Sequence, residues 1–437
     1  VSKPESALWV SEHGWILKGL QNRCIDGGNL ELCPTDFSSL ESLLEQSETD
    51  ESQRTLPLHY CRRHARPAFK VQNQVGLVRT STGEQIEILP KLARHGAAEQ
   101  SRHLLVKMLI ELEDSPFSEA SAADLQACRM PLFELLLRYY LEQVGHIVRR
   151  GIARSYVSRR GNLHQLRGKI LISQNIRENA ANAARFYCEY EEFMADRPIN
   201  RLIRSGLLIT AKLTKDSKNQ QLCREHLSWF DEVSKTEDWR ADFKRVLWDR
   251  DVRHYKKAMA PCRMLHERLN PLTQQGVNRA IAMLFPMERV FEDYVAACLR
   301  RRLHGWTVET QKTGHYLVDQ HNGGPIFALR PDLVLSQGFH KIVADTKWKL
   351  IDEHDRSSKY GISQADIYQL FGYCKKILSG SEPAEVWLIY PMHESFQDPL
   401  DEFVYDRAGS ILRVLPFDLE EGLLRSYPVP LEGGSDG

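Results

Sequence analysis

Two acids interrupt otherwise apolar runs in the last third of this chain, and few folds can accommodate them. Arg330-Pro331-Asp332-Leu333-Val334-Leu335 is followed by a polar stretch, Ser336 to His340, and then by Lys341-Ile342-Val343-Ala344-Asp345-Thr346-Lys347. Apolar runs on either side of a short polar stretch containing Gly338 predict a β-hairpin. If Ser336 pairs with Lys341, Asp332 lies opposite Asp345, and directly opposed Cβ atoms are roughly 4.5–5.5 Å apart. Two carboxylates so placed repel unless a cation sits between them or one takes up a proton. Lys347 is two residues beyond Asp345 and projects from the same face. Oxygen ligands of this kind suit Mg²⁺, with Mn²⁺ as a substitute. A lysine beside a metal-bound carboxylate can orient or help deprotonate an attacking water, and the metal stabilises charge growing on a phosphate. The competing reading has Asp332 capping a turn and Asp345 paired with Lys347 on a strand surface. The cost of burying charge in apolar strands favours the metal site.

The 437 residues are too many for one typical domain, and the texture changes twice along them. Residues 1–118 read as a β-rich N-terminal domain, with strand-like alternation in Leu8 to Leu20 and Val75 to Leu89. Ser38 to Arg54 reads as a short helix running into a loop. Residues 119–284 read as a mostly helical middle region, with helical stripes at Leu132 to Val148, Leu202 to Leu213 and Phe243 to Val252. Gly151 to Ser173 interrupts it with a β-like stretch. Asp196 is a candidate N-cap ahead of Pro198. Residues 285–430 alternate helix, strands, helix and strand, an α/β plan. The predicted fold class is therefore multidomain α+β with a C-terminal α/β domain. The tail Leu431 to Gly437 reads as disordered.

Charge limits the functional classes. The 58 basic and 58 acidic residues cancel, whereas a free-standing DNA binder usually carries a basic excess. A local basic groove remains open, and so does delivery to DNA by another subunit. His59 to Arg66 is basic and could contact phosphate, although charged runs are more often solvated loops. Nine widely spaced cysteines without a CxxC pair read as reduced thiols of a cytoplasmic protein. No apolar stretch approaches the length of a membrane span. Gly161 to Lys169 superficially suggests a phosphate loop, but the spacing is G-x₆-G-K with Ile170 following. A Walker loop needs G-x₄-G-K-[ST], so no NTPase activity is expected of the isolated chain.

The Pro331-Asp332 … Asp345-Thr346-Lys347 constellation resembles the PD-(D/E)XK nuclease superfamily. That resemblance implies a metal held by Asp332, Asp345 and the backbone carbonyl of Thr346. It also implies a further acid from a preceding helix, for which Glu288 and Glu292 are candidates; Glu292, between Phe291 and Tyr294, is favoured. Gln369 and Tyr373 resemble the Q-x-x-x-Y helix of RecB-like members and could touch DNA or brace the lysine. Ordinary helix packing is the alternative.

A wider resemblance to the McrC family runs from about Val75 to Phe417. It includes Ile86-Glu87-Ile88-Leu89-Pro90-Lys91, then Lys107-Met108-Leu109, Leu166-Arg167-Gly168-Lys169-Ile170 and Cys188-Glu189-Tyr190-Glu191-Glu192. Asp196 to Asn200 follows, and Val386 to Pro391 closes it behind the nuclease motifs. Membership of that family implies a DNA endonuclease subunit of a McrBC-like restriction complex that stimulates an McrB-type AAA+ GTPase or ATPase hexamer. The N-terminal part would dock on the ring, with Pro90 and Lys91 as candidate contacts. Two alternatives stand beside it: a RecB-like nuclease working without an AAA+ ring, and a non-catalytic activator of a motor.

Overall fold

The computed structural model describes residues 8–49, 58–91, 98–112, 130–182, 184–268, 281–378, 384–405 and 409–425. Contacts divide the chain into two compact units, Val1–Arg129 with Ala282–Gly437, and Met130–Ile281. The first and third segments, expected as separate domains, share one unit.

A strand explains the union. Leu8–Ser11, Gln85–Leu89, Gln74–Arg79 and Ile281–Pro286 form one four-stranded sheet in that order. The last of these strands leads straight into the helix Met287–Arg302. A second, five-stranded sheet orders Arg23–Ile25, Asn29–Leu32, Trp15–Lys18, Arg66–Val71 and Leu58–Arg63. Their apolar positions share a core with the helix Pro34–Thr49, including Val10, Ile16, Phe37, Phe69, Ile86, Ile88 and Leu284. The alternation in Leu8 to Leu20 and Val75 to Leu89 therefore does form strands. His59 to Arg66 is not a loop. It is a hairpin in which Arg63 pairs with Arg66, and His64 and Ala65 turn with positive φ. Its charges occupy the exposed positions of a sheet whose other face meets the core. Arg63 covers the Trp15 ring at 4.8 Å.

The unit Met130–Ile281 contains the helices Leu132–Arg150, Pro198–Leu213, Ser217–Ser228 and Lys256–Arg268. It also holds a three-stranded sheet, Lys169–Ile170, Phe186–Met194 and Ser155–Leu163. Two local expectations fail here. The stripe Phe243 to Val252 is not one helix, because the helix Trp239–Arg245 ends and a 3₁₀ turn, Arg250–Tyr255, begins. Asp249 caps that turn by accepting from the amides of Asp251 and Val252 at 2.9 and 3.1 Å, a local bond that competes with helix continuation. Asp196 is not the cap of the helix at Pro198, since Arg197 occupies that position. The Asp196 carboxylate instead accepts from the Ser234 amide and hydroxyl at 3.0 and 3.1 Å.

The C-terminal segment is built on a seven-stranded sheet. Its order is Thr307–Thr310, Leu333–Gln337, His340–Thr346, Glu385–Pro391, Ile411–Asp418 and Phe403–Val404, with Leu423–Leu424 beside Ile411–Asp418. The hairpin register is the expected one, with Ser336 opposite Lys341 and Leu333 opposite Ala344. His340–Thr346 then pairs in parallel with Glu385–Pro391, a crossover that runs through the helix Gln364–Ile377. Val343, Leu388 and Tyr390 share a core with Leu370 and Tyr373 of that helix. On the other side, Phe291 of the helix Met287–Arg302 packs against Phe417 and Trp348. Among the described residues, no helix is long and apolar enough to cross a membrane.

Candidate active site

Strand alternation decides which groups meet. Val343 faces the core beneath the helix Gln364–Ile377, and Asp345 and Lys347 follow it at intervals of two. Asp345 is 1% exposed. Lys347 Nζ pairs with its Oδ2, yet neither carboxylate oxygen receives a well-aligned hydrogen bond. Asp332 lies just before the strand Leu333–Gln337. Its Oδ2 accepts from the Thr346 amide at 2.7 Å and the Thr346 hydroxyl at 2.9 Å, so the two acids are tied together through one strand end. The Lys347 amide donates to the Ile389 carbonyl at 2.9 Å, extending the parallel ladder to the lysine itself.

The electrostatics show the repulsion expected of such a pair. Burial first, and then Asp332, push Asp345 up to about 7 against the pull of Lys347. Burial also raises Asp332, opposed by its Thr346 hydrogen bonds and by Lys347. For Lys347, burial favours the neutral amine, but Asp345, Asp332 and Asp366 outweigh it and hold the group above the ordinary lysine value. These neighbours hold Lys347 as an ammonium paired with Asp345.

The two candidate glutamates separate. Glu292 is half-buried, accepts from Gln311 Nε2 at 2.5 Å, and is pushed up to about 7 by burial and by Asp332. Glu288, one helical turn earlier, is exposed and accepts from Asn73 Nδ2. Glu292 therefore stands with the aspartates, and Glu288 does not. Gln369 donates to Tyr373 Oη at 2.5 Å, and that hydroxyl donates to the Arg330 carbonyl at 3.0 Å. The pair braces the approach to Asp332, not Lys347. Pro90 is buried and Lys91 half-buried, so of these two docking candidates only Lys91 reaches the surface.

Several neighbours escaped the sequence reading. Asp366 is 8% exposed, binds Lys349 Nζ at 3.1 Å, and acts on both Asp345 and Lys347. Tyr390 is fully buried with an unpartnered hydroxyl near Asp366 and Asp345. Gln311 joins Glu292 to the Asp332 backbone, its amide donating to the Asp332 carbonyl at 3.0 Å. Asp366 stands three residues before Gln369 on the same helix, but nothing in the sequence marks it as a neighbour of Asp345.

The family of McrBC 5-methylcytosine restriction system components has a sequence model that matches residues 69–391. The chain belongs to this family. Its fold is similar to a chain of a refined half-complex from a tetradecameric assembly of Thermococcus gammatolerans McrB AAA+ hexamers with bound McrC. The TM-score is 0.70 at 18% identity, covering 94% of this chain and 95% of that one. A cryo-EM structure of the Thermococcus gammatolerans McrBC complex matches with a TM-score of 0.51 at 18% identity, over 68% of this chain and 88% of that one. No curated protein matches the chain.

For this McrBC-family chain, the donor set can be tested against a metal. Among the described residues, no three His, Cys, Asp or Glu side chains form a ready-made cage. Mg²⁺ does not require one, because it keeps several waters and takes one or two carboxylates. Asp345, buried with both oxygens short of hydrogen bonds, beside Asp332 and Glu292, fits a hard cation.

Proposed function

We propose that this chain is the metal-dependent DNA endonuclease subunit of its restriction system, with a PD-(D/E)XK-type site. The observation that carries the reading is the pairing of Lys347 with Asp345 beside Asp332, with Glu292 repelled by both aspartates and the Asp345 oxygens buried and without aligned donors. Asp345, Asp332 and the Thr346 carbonyl would hold Mg²⁺, or Mn²⁺ in its place. Bound there, the ion supplies Lewis-acid stabilisation of the phosphate and a more acidic water. The chain's own groups do the rest. The Lys347 ammonium steadies negative charge at the scissile phosphate. Glu292, titrating near neutrality, can hold a proton released there. Tyr373 and Gln369 keep the Arg330–Asp332 segment in place.

The likeness to an assembly of McrB AAA+ hexamers with bound McrC supports the second half of the proposal. This chain would bind and stimulate an McrB-type AAA+ hexamer, a GTPase or an ATPase, which brings it to DNA. The test is Lys347→Ala in the complex reconstituted with its AAA+ partner. Cleavage should slow by roughly 10²-fold or more, while Mg²⁺ still raises the melting temperature. A variant that cuts at the wild-type rate would show that the lysine belongs to no active site.

A further inference from the structure

Glu12 follows the first strand, Leu8–Ser11, and is 2% exposed. Its amide donates to the Leu89 carbonyl at 2.7 Å, which pins it to the strand Gln85–Leu89. Its Oε2 accepts from Trp348 Nε1 at 2.8 Å. His13 Nε2 lies 3.4 Å from the other oxygen, and both the ammonium and the amide of Lys91 act on the same carboxyl. A carboxyl buried among apolar groups costs free energy unless its partners hold it, and here one of those partners, Trp348, lies 336 residues away in sequence.

Trp348 is what Glu12 holds. It is 3% exposed and directly follows Lys347. Its ring lies 5.3 Å from that of Phe291, the residue before Glu292. One indole therefore touches both the strand end that carries Asp345 and Lys347 and the helix that carries Glu292. We propose that Glu12 is a positioning residue of the nuclease site, fixing through the Trp348 indole where Lys347 stands relative to Glu292. The N-terminal sheet is then part of the frame of the active site, and Lys91 serves this contact. The proposal rests on the nuclease reading of Asp345 and Lys347.

The test uses the full chain labelled with 5-fluorotryptophan, in complex with its AAA+ partner. Trp348→Phe assigns the ¹⁹F resonance of residue 348. Glu12→Ala should shift that resonance and lower kcat for DNA cleavage by roughly 10- to 100-fold, the scale at which small misplacements act. KM should change by less than about twofold, and stimulation of the motor's nucleotide hydrolysis should persist. Glu12→Gln keeps an acceptor for the indole and should restore both signals. If Glu12→Ala does not fold, Trp348→Phe, which keeps a smaller ring beside Phe291 and removes the N–H donor, should show a comparable fall in kcat, and a wild-type kcat in it would overturn the proposal. Wild-type kcat in Glu12→Ala, or a Glu12→Gln variant as slow as Glu12→Ala, overturns the proposal while an inert Asp345→Asn control leaves the nuclease reading standing. Cleavage by Asp345→Asn brings down that reading, and the proposal with it.

Discussion

Asp345 concentrates the physical tension of the site. Its pKa is raised by burial and by Asp332 from 3.8 to about 7, and that of Glu292 is raised from 4.5 to about 7. A carboxyl whose folded pKa is raised favours the native state while protonated. In the metal-free protein that contribution is complete below the ordinary carboxylate range and is lost as pH rises through about 7. Asn at 345 cannot ionise. In chelator at pH 8, Asp345→Asn should therefore be more stable than the wild type by a few kcal/mol. The scale is about 1.4 kcal/mol for each tenfold change in proton affinity on folding, and less for coupled groups. At pH 4 the gap should close, and at pH 8 Mg²⁺ should raise the melting temperature of the wild type alone. Calorimetry showing equal melting at both pH values would mean that Asp345 is not strained. The acid pair and its lysine were readable in the sequence because charge inside apolar strands demands a reason. Glu292 could be favoured over Glu288 only through its apolar neighbours, since both sit on one helix face. Gln311, Asp366 and Tyr390 come from separate elements, and no local pattern ties them to Asp345.

At the scale of elements, the hairpin was readable down to its register. A one-residue slip would turn the whole apolar set of Leu333–Gln337 and His340–Thr346 to the wrong face, and Gly338, at φ 58°, supplies the turn. The stripe at Phe243 to Val252 misled because side-chain capping by Asp249 is local chemistry that periodicity does not see. The hidden element was the strand Ile281–Pro286. Its partner, Gln74–Arg79, is about two hundred residues earlier, too far for any local signal. Gly76 marks this pairing, with φ at +135° and a would-be Cβ only 2.1 Å from the Met283 carbonyl oxygen. Gly76→Ala should cost about 1–3 kcal/mol, seen as a lower midpoint in denaturant. An unchanged midpoint would contradict the close approach of these two strands.

For the whole molecule, the neutral balance of 58 basic and 58 acidic residues agrees with the proposed role of a cutting subunit that a partner brings to DNA. The sequence showed three textures and the structure shows two compact units. The difference is the shared sheet, which joins the N-terminal segment to the helix bearing Glu292 and brings Glu12, just after the strand Leu8–Ser11, to Trp348 beside the acid pair. A composite of this kind is invisible to composition and to periodicity, because only contacts distant in sequence define it. The most direct measurement is DNA cleavage by the complex reconstituted from the AAA+ partner and the Asp345→Asn chain, with nucleotide hydrolysis by the motor followed in the same tube. Hydrolysis should be stimulated as by the wild type, and no DNA should be cut in Mg²⁺. Cleavage at the wild-type rate would contradict the proposed site.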